Sequence, residues 1–430
     1  MRKSVYDVFG LSNEILTDSY FDRGNLDKEI SHLINAKQVI AIRGASKSGK
    51  SWLRQKAFPN ALVVQCRFGY GIENILTDAL AQLDVRLRLE ETTSRKFGGT
   101  LAASTGTGLS LLLKASGKGE ASTEDTLKFR EYGRDITDLK FIADIINVAK
   151  RKLVIEDFHY LDVETQKRLA FDLKSLWDHG CFAVVVGVWG RHNLLTTYNP
   201  DLSLRCTELQ VEWTDIELRQ VVVKGCKTLK IELLDDTIDG LVANSFGNSG
   251  LLQTLTQRAI VIAGLVEEQP RLAKVSTDVH HEACRQVANQ LNATYQTFAE
   301  RVASGIRSRK KATGIYAHAM ASIVNSPDIK LTEGLSVDDI YLECHQREPR
   351  IQKANLKSIL RKIDGLQIDA EGRGLVITYN HFEGKIITVD RQLLFYRTHC
   401  TVNWPWHDII QESEHTPEQD YCVQLSFEDY

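Results

Sequence analysis

Gln38-Val39-Ile40-Ala41-Ile42-Arg43-Gly44-Ala45-Ser46-Lys47-Ser48-Gly49-Lys50-Ser51-Trp52-Leu53-Arg54-Gln55-Lys56-Ala57 is the stretch on which the fold turns. Its first six residues form an apolar run that predicts a buried strand, and 51–57 continue as a helix. Between them, Gly44 to Ser51 fit G-x-x-x-x-G-K-[ST], so strand, loop and helix agree on a phosphate-binding loop. Glycines let backbone N–H groups close round phosphate oxygens, and a helix N-terminus favours negative charge. The pattern therefore assigns phosphate contacts to Gly44, Ala45, Ser46, Lys47, Ser48, Gly49, Lys50, Ser51 and Trp52. Lys50 reaches the β/γ-phosphates and the Ser51 hydroxyl ligates Mg²⁺.

Outward from the loop, strands are expected at 61–66, 152–155, 182–188 and 208–211, and helices at 72–87, 136–143 and 163–179. Several of the strand runs are continuously apolar, which indicates an α/β fold with a parallel sheet covered on both faces. The Gly-, Ser-, Thr- and Ala-rich stretch 92–122 interrupts this alternation as an insertion, either a hairpin or a mobile loop. From 214 to about 306 the apolar spacing is helical, the mark of a small helical domain. Three further helices (315–324, 337–346, 353–363) and two β runs (375–379, 385–389) have the order of a winged helix. The expected organisation is a core over 1–212, a lid over 213–308, a winged-helix domain over 309–398 and a C-terminal tail over 399–430, acidic and polar from Glu412.

The 430 residues exceed what one compact core holds, and 25% charged with 43% hydrophobic residues is ordinary for a globular chain. No apolar run reaches membrane-spanning length and the first residues lack a signal-peptide core, so the expected location is the cytoplasm. The eight cysteines are scattered, without a C-x-x-C pair for zinc or redox work. A net charge of −3 argues against wholesale polyanion binding, yet 301–364 carries twelve basic against seven acidic residues. Within it Lys353, Lys357 and Arg361 recur at i, i+4, i+8 and line one helix face, a surface for DNA or simply a solvated face.

Hydrolysis needs acids as well as a phosphate loop. Glu156 and Asp157 close the expected 152–155 strand, one to hold the Mg²⁺ shell and the other to polarise water. Glu156 is taken as the metal-shell acid, although the order, acid by acid, leaves the two roles open with His159 nearby. Trp189-Gly190-Arg191-His192-Asn193 follows the next strand, where Arg191 and Asn193 are candidates to sense a γ-phosphate. Arg205 precedes the last core strand, a place from which an arginine reaches a neighbouring subunit's nucleotide. Near the start, Tyr20-Phe21-Asp22-Arg23 offers an aromatic either to cover the nucleotide base or to fill the core.

The chain resembles the AAA+ and STAND P-loop ATPases over about 15–395, and within them initiator ATPases of the origin-recognition type. Gly44 to Ser51 match the Walker A loop, Leu153 to Asp157 the Walker B strand, Arg191 or Asn193 sensor 1, and Arg205 the arginine finger. The resemblance implies ATP and Mg²⁺ as ligands, ATP hydrolysis, and DNA, a second copy or an effector protein as partner. It also looks like bacterial ATPases of defence and mobile loci. Two features depart from the pattern. The Glu156-Asp157 order reverses the usual one, and Ser245-Phe246-Gly247-Asn248-Ser249-Gly250 lacks both the sensor 2 arginine of AAA+ proteins and the proline of STAND proteins. Both departures suit a slow switch, or a nucleotide-gated scaffold, better than a motor.

Overall fold

The structure is a computed structural model, and it describes residues 2–89, 99–103, 135–189, 192–305, 313–367, 375–381 and 383–414. They fall into two compact units. The first comprises Met1–Ala288 with Ile368–Gly374 and Val389–Phe395; the second comprises Asn289–Gln367, Leu375–Thr388 and Tyr396–Tyr430.

In chain order the first unit's main strands are β1 (Val39–Arg43), β2 (Leu62–Gln65), β3 (Val85–Leu89), β4 (Gly99–Ala103), β5 (Leu153–Glu156), β6 (Val184–Gly187) and β7 (Cys206–Gln210). Five of these form one sheet in the order β2-β5-β6-β1-β7, parallel throughout. Alternation along β1 sends Val39 and Ala41 into one apolar layer and Ile40 and Ile42 into the other. The helices Ile72–Ala81, Leu139–Ala149 and Val163–Asp178 contribute to the first layer, and Asn25–Leu33 and Lys50–Ala57 to the second. This double burial is why the strands read as unbroken apolar runs. Because β1 lies between β6 and β7, the loop that leaves Arg43 opens onto the carboxyl end of the sheet, where ligands of open α/β sheets sit.

Two expectations need correction here. The helix predicted over 72–87 ends at Ala81, and Val85-Arg86-Leu87-Arg88-Leu89 is a strand paired antiparallel with Gly99–Ala103. The apolar–Arg alternation of those five residues has the period of a strand, and Asp84 at φ +58° breaks the helix before it. Of the 92–122 insertion, 99–103 supplies the second strand of this hairpin, and the remainder lies outside the described residues. The helix expected from 136 starts at Leu139, where the Asp138 carboxylate accepts the Phe141 N–H at 3.1 Å.

After β7 the first unit continues through the helices Asp215–Leu229, Asp235–Ala243 and Ser249–Ile262. A two-residue parallel ribbon of β8 (Ile231–Glu232) and β9 (Ala273–Lys274) accompanies them.

The second unit carries the helices Ile315–Asn325, Asp328–Glu333, Val337–Arg347, Lys353–Leu360 and Ile363–Gln367. Its strands β10 (Leu335–Ser336), β11 (Ile377–Asn380) and β12 (Lys385–Thr388) form an antiparallel sheet in the order β10-β12-β11. The helix expected over 353–363 stops at Leu360 and a separate turn begins at Ile363. That turn brings buried Gln367 to accept from Val376 N–H and Ile377 N–H, each at 2.9 Å. It also sets Asp364 to accept from Thr378 Oγ1 at 2.6 Å, and burial raises that carboxyl to about 6. Within the segment expected as the C-terminal tail, Trp404 and Trp406 are buried and stacked at 4.5 Å. Among the described residues, no helix is long and apolar enough to cross a membrane.

Candidate nucleotide-binding site

The loop after β1 is shaped by steric necessity. A Cβ at Gly44 would stand 2.8 Å from Val211 O and from Ser48 Oγ, and Gly49 turns at φ +86° into the helix Lys50–Ala57. Lys47, also left-handed at φ +59°, completes a winding of the kind that gathers amides around an anion. The loop's carbonyls are fastened one by one. Asn248 Nδ2 donates to Ser46 O at 2.9 Å, Gly250 N–H to Lys47 O at 3.0 Å and Trp213 Nε1 to Ser48 O at 2.8 Å. Thus Asn248 and Gly250, in the segment where the expected lid arginine is missing, dock the phosphate loop directly.

Lys50 Nζ folds back over its own loop, donating to Ala45 O at 2.6 Å and Gly44 O at 3.1 Å. Burial pulls its pKa down to about 8, against the upward pull of the Asp157 and Glu156 charges. Glu156 ends β5, and its Oε1 lies 2.8 Å from Arg54 Nε, with both side chains mostly buried. Asp157 adopts φ +57° and accepts from Gln65 Nε2 at 2.9 Å. His159 Nδ1 accepts the Val188 N–H at 3.3 Å, and burial with the nearby Lys50 charge pushes its pKa down to about 3. The ring is therefore neutral and carries its proton on Nε2.

A second set of contacts reaches the loop from a distant part of the chain. Ser46 N–H donates to Val389 O at 3.0 Å, and Lys47 Nζ pairs with Gln392 Oε1 and stands 3.9 Å from Asp390 Oδ2. Residues 389–392 follow β12 in sequence yet belong to the first unit. They strap the phosphate loop by one of its own amides.

Beside the loop lies a cavity of about 420 Å³, lined by 47–52, Arg54, Glu156, Tyr20, Phe21, Arg23 and Trp213 among others. Both aromatics of the early motif thus face a space next to the loop. Arg23 is 8% exposed and lies over the Trp213 ring at 4.3 Å, with Nε and Nη1 lacking a hydrogen-bond partner. Tyr20 donates its hydroxyl to Asp27 Oδ1 at 2.6 Å, and its pKa rises with burial.

The structure thus gathers Lys50, Ser51, Glu156 and Asp157 around one end of the sheet. Arg205 stands at the other end, because Cys206 pairs in parallel register with Val39. Its guanidinium covers Trp177 at 4.8 Å and bonds Asp201 O. Asn193 is exposed at φ +57°, and its N–H donates to Glu208 Oε2 at 3.0 Å. Arg191 lies outside the described residues.

Glu208 is the residue that the sequence reading passed over. Its side chain, 3% exposed, accepts from Trp189 Nε1 at 3.1 Å and from Asn193 N–H, pairs with Arg43 Nε at 2.8 Å, and bonds His192. It anchors the segment after β6 to the strand that carries the phosphate loop. Glu208→Ala is expected to destabilise the protein by about 1–3 kcal/mol, because it leaves Arg43 with only Gln210 as a side-chain partner and strips Trp189 Nε1 and Asn193 N–H of their acceptor. Chemical denaturation checks this, and a loss under 1 kcal/mol contradicts the anchoring role.

No family model matches this chain, and no curated protein is significantly similar to it. Solved structures do match. A Walker-type ATPase of Pyrococcus abyssi superposes with a TM-score of 0.51 at 10% identity, covering 89% of this chain and 97% of the other. The Aeropyrum pernix Orc1 protein, solved in complex with DNA, gives 0.41 at 11% identity, covering 92% and 95%. A STAND protein with a tetratricopeptide repeat sensor from Pyrococcus horikoshii gives 0.37 at 16% identity, covering 93% of this chain and 47% of that one. The first likeness, with the parallel sheet and its loop, establishes an α/β P-loop NTPase fold.

Proposed function

We propose that this chain is an ATP-binding and ATP-hydrolysing switch of the AAA+/STAND kind, in which nucleotide at the Gly44–Ser51 loop changes what the C-terminal part of the chain engages. The observation that carries the switch reading is the strap: Ser46 N–H, an amide that a phosphate would take, is held by Val389 O. A nucleotide that recruits this amide releases residues joined directly to β12. Lys50, the cavity beside the loop and the adjacent acids supply the rest of the support. Ser51 and Glu156 fit Mg²⁺, since a hydroxyl at the helix start and a carboxylate at the end of β5, one strand removed from β1, are the oxygen donors the ion favours. Bound there, Mg²⁺ supplies positive charge to the transferring phosphate. In this reading Asp157, whose charge acts on Lys50, polarises the attacking water.

In this reading a core over 1–212 and a lid over 213–308 precede a winged-helix domain over 309–398, to which the second unit's helices and three-stranded sheet belong. Lys353, Lys357 and Arg361 are exposed on it, although Lys353 is paired with Asp338, so Lys357 and Arg361 carry most of the charge offered to DNA. Arg205 acts on the nucleotide of a second copy, its guanidinium leaving Trp177 to do so. The reading of a scaffold that binds ATP without turnover, and recruits an effector protein, draws on the closed state of the loop.

Phosphate release by the purified protein, alone, with DNA, and as a mixture of Arg205→Ala with Lys50→Ala, tests this. Expected are slow release alone, faster release with DNA, and partial recovery in the mixture, where one site has both parts intact. With Lys357→Ala or Arg361→Ala, the salt dependence of DNA binding should flatten by roughly one counterion each. ATP binding without release supports the scaffold, and an unchanged salt slope removes DNA as the partner.

A further inference from the structure

Arg54 stands one turn after Ser51 on the helix Lys50–Ala57, so the two share the face that meets the end of β5. There the Arg54 guanidinium holds Glu156, the carboxylate assigned above to the metal shell, in an ion pair of 2.8 Å. The pair is nearly dry: the side chains are 13% and 12% exposed, and both residues line the cavity beside the loop. In such a setting the charge of Glu156 is cancelled locally, whereas an unpaired carboxylate would repel a triphosphate that arrives without its metal. The positive charge that Mg²⁺ supplies at this place is already furnished in part by the protein.

We propose that Arg54 is a positioning residue that sets the metal dependence of nucleotide binding. By pairing with Glu156 it lets the loop accept a nucleoside triphosphate without a divalent cation, and it lowers the advantage that Mg²⁺ confers. Nothing in the Gly44–Ser51 pattern requires an arginine at this position. The inference rests on the nucleotide-binding reading above, and its test separates the two.

The measurement is the dissociation constant of a fluorescent ATP analogue in EDTA and in excess Mg²⁺, for the full chain and its variants. The parent chain should show a ratio of the two constants of about three or less. In Arg54→Ala the freed Glu156 carboxylate opposes metal-free nucleotide and binds the metal shell more strongly, so the ratio should rise at least tenfold. Arg54→Lys, which retains the charge but not the planar fork, should fall between them. In Arg54→Ala with Glu156→Gln the ratio should return towards the parent value, a recovery that a loss of folding would not produce, and melting of each variant without nucleotide serves as control. Ratios for Arg54→Ala and the parent within twofold of each other overturn the role of Arg54, as does a failure of the double variant to restore the ratio. If the parent chain binds the analogue under neither condition, the nucleotide-binding reading is what fails.

Discussion

Lys50→Ala is expected to weaken ATP binding roughly thirty- to a hundredfold, the equivalent of about 2–3 kcal/mol for a charge-assisted contact to phosphate. In the unliganded loop the same ammonium is satisfied by Gly44 O and Ala45 O, so binding exchanges two neutral acceptors for anionic ones. The exchange should be sensitive to pH. Burial holds the Lys50 pKa at about 8, so the ammonium needed for phosphate is lost as the pH rises through that value. Affinity in the parent chain should decline above about pH 8, and the decline should vanish in Lys50→Ala. Calorimetry across pH 6.5–9.5 measures both effects. Equal affinities in parent and variant, at equal melting temperature, would remove Lys50 from the site.

Asp157→Asn should retain ATP and lose turnover by about two to four orders of magnitude, the usual contribution of a positioned base. Its backbone conformation makes this a clean substitution. At φ +57° most side chains are strained, but asparagine tolerates that region at least as well as aspartate, and its amide oxygen can still accept from Gln65. Binding affinity within threefold of the parent, with phosphate release abolished, is the expected pair of results. Release at the parental rate would pass the role of base to Glu156. Such a transfer would also be consistent with the reversed order of the two acids.

Local patterns were legible and distant ones were not. The phosphate loop announces itself because its chemistry needs particular residue types in consecutive positions, and the buried strands because both of their faces are covered. The β3 strand was absorbed into a helix, since Val85 to Leu89 follow an amphipathic helix after only three residues and the alternation is short. The Arg54–Glu156 pair depends on β5 lying between β2 and β6, one strand removed from β1, an order that spacing alone does not give. Glu208 read as an ordinary strand residue because its partners, Arg43, Trp189, His192 and Asn193, come from β1 and from the segment after β6. The hold of Val389 on Ser46 leaves no trace in side-chain chemistry, because its acceptor is a backbone carbonyl 343 positions away.

That carbonyl has a thermodynamic consequence. One N–H has one proton to give, so Ser46 bonded to Val389 and Ser46 bonded to a phosphate exclude each other, and the exclusion is reciprocal. Whatever factor separates nucleotide affinity in the strapped and released forms must equal the factor by which nucleotide shifts the strap, at about 1.4 kcal/mol for each factor of ten. A ligand that pulls residues 389–392 away from the loop would therefore act as an exchange-and-loading factor for nucleotide without touching it. Nucleotide, in turn, would tighten that ligand by the same measure.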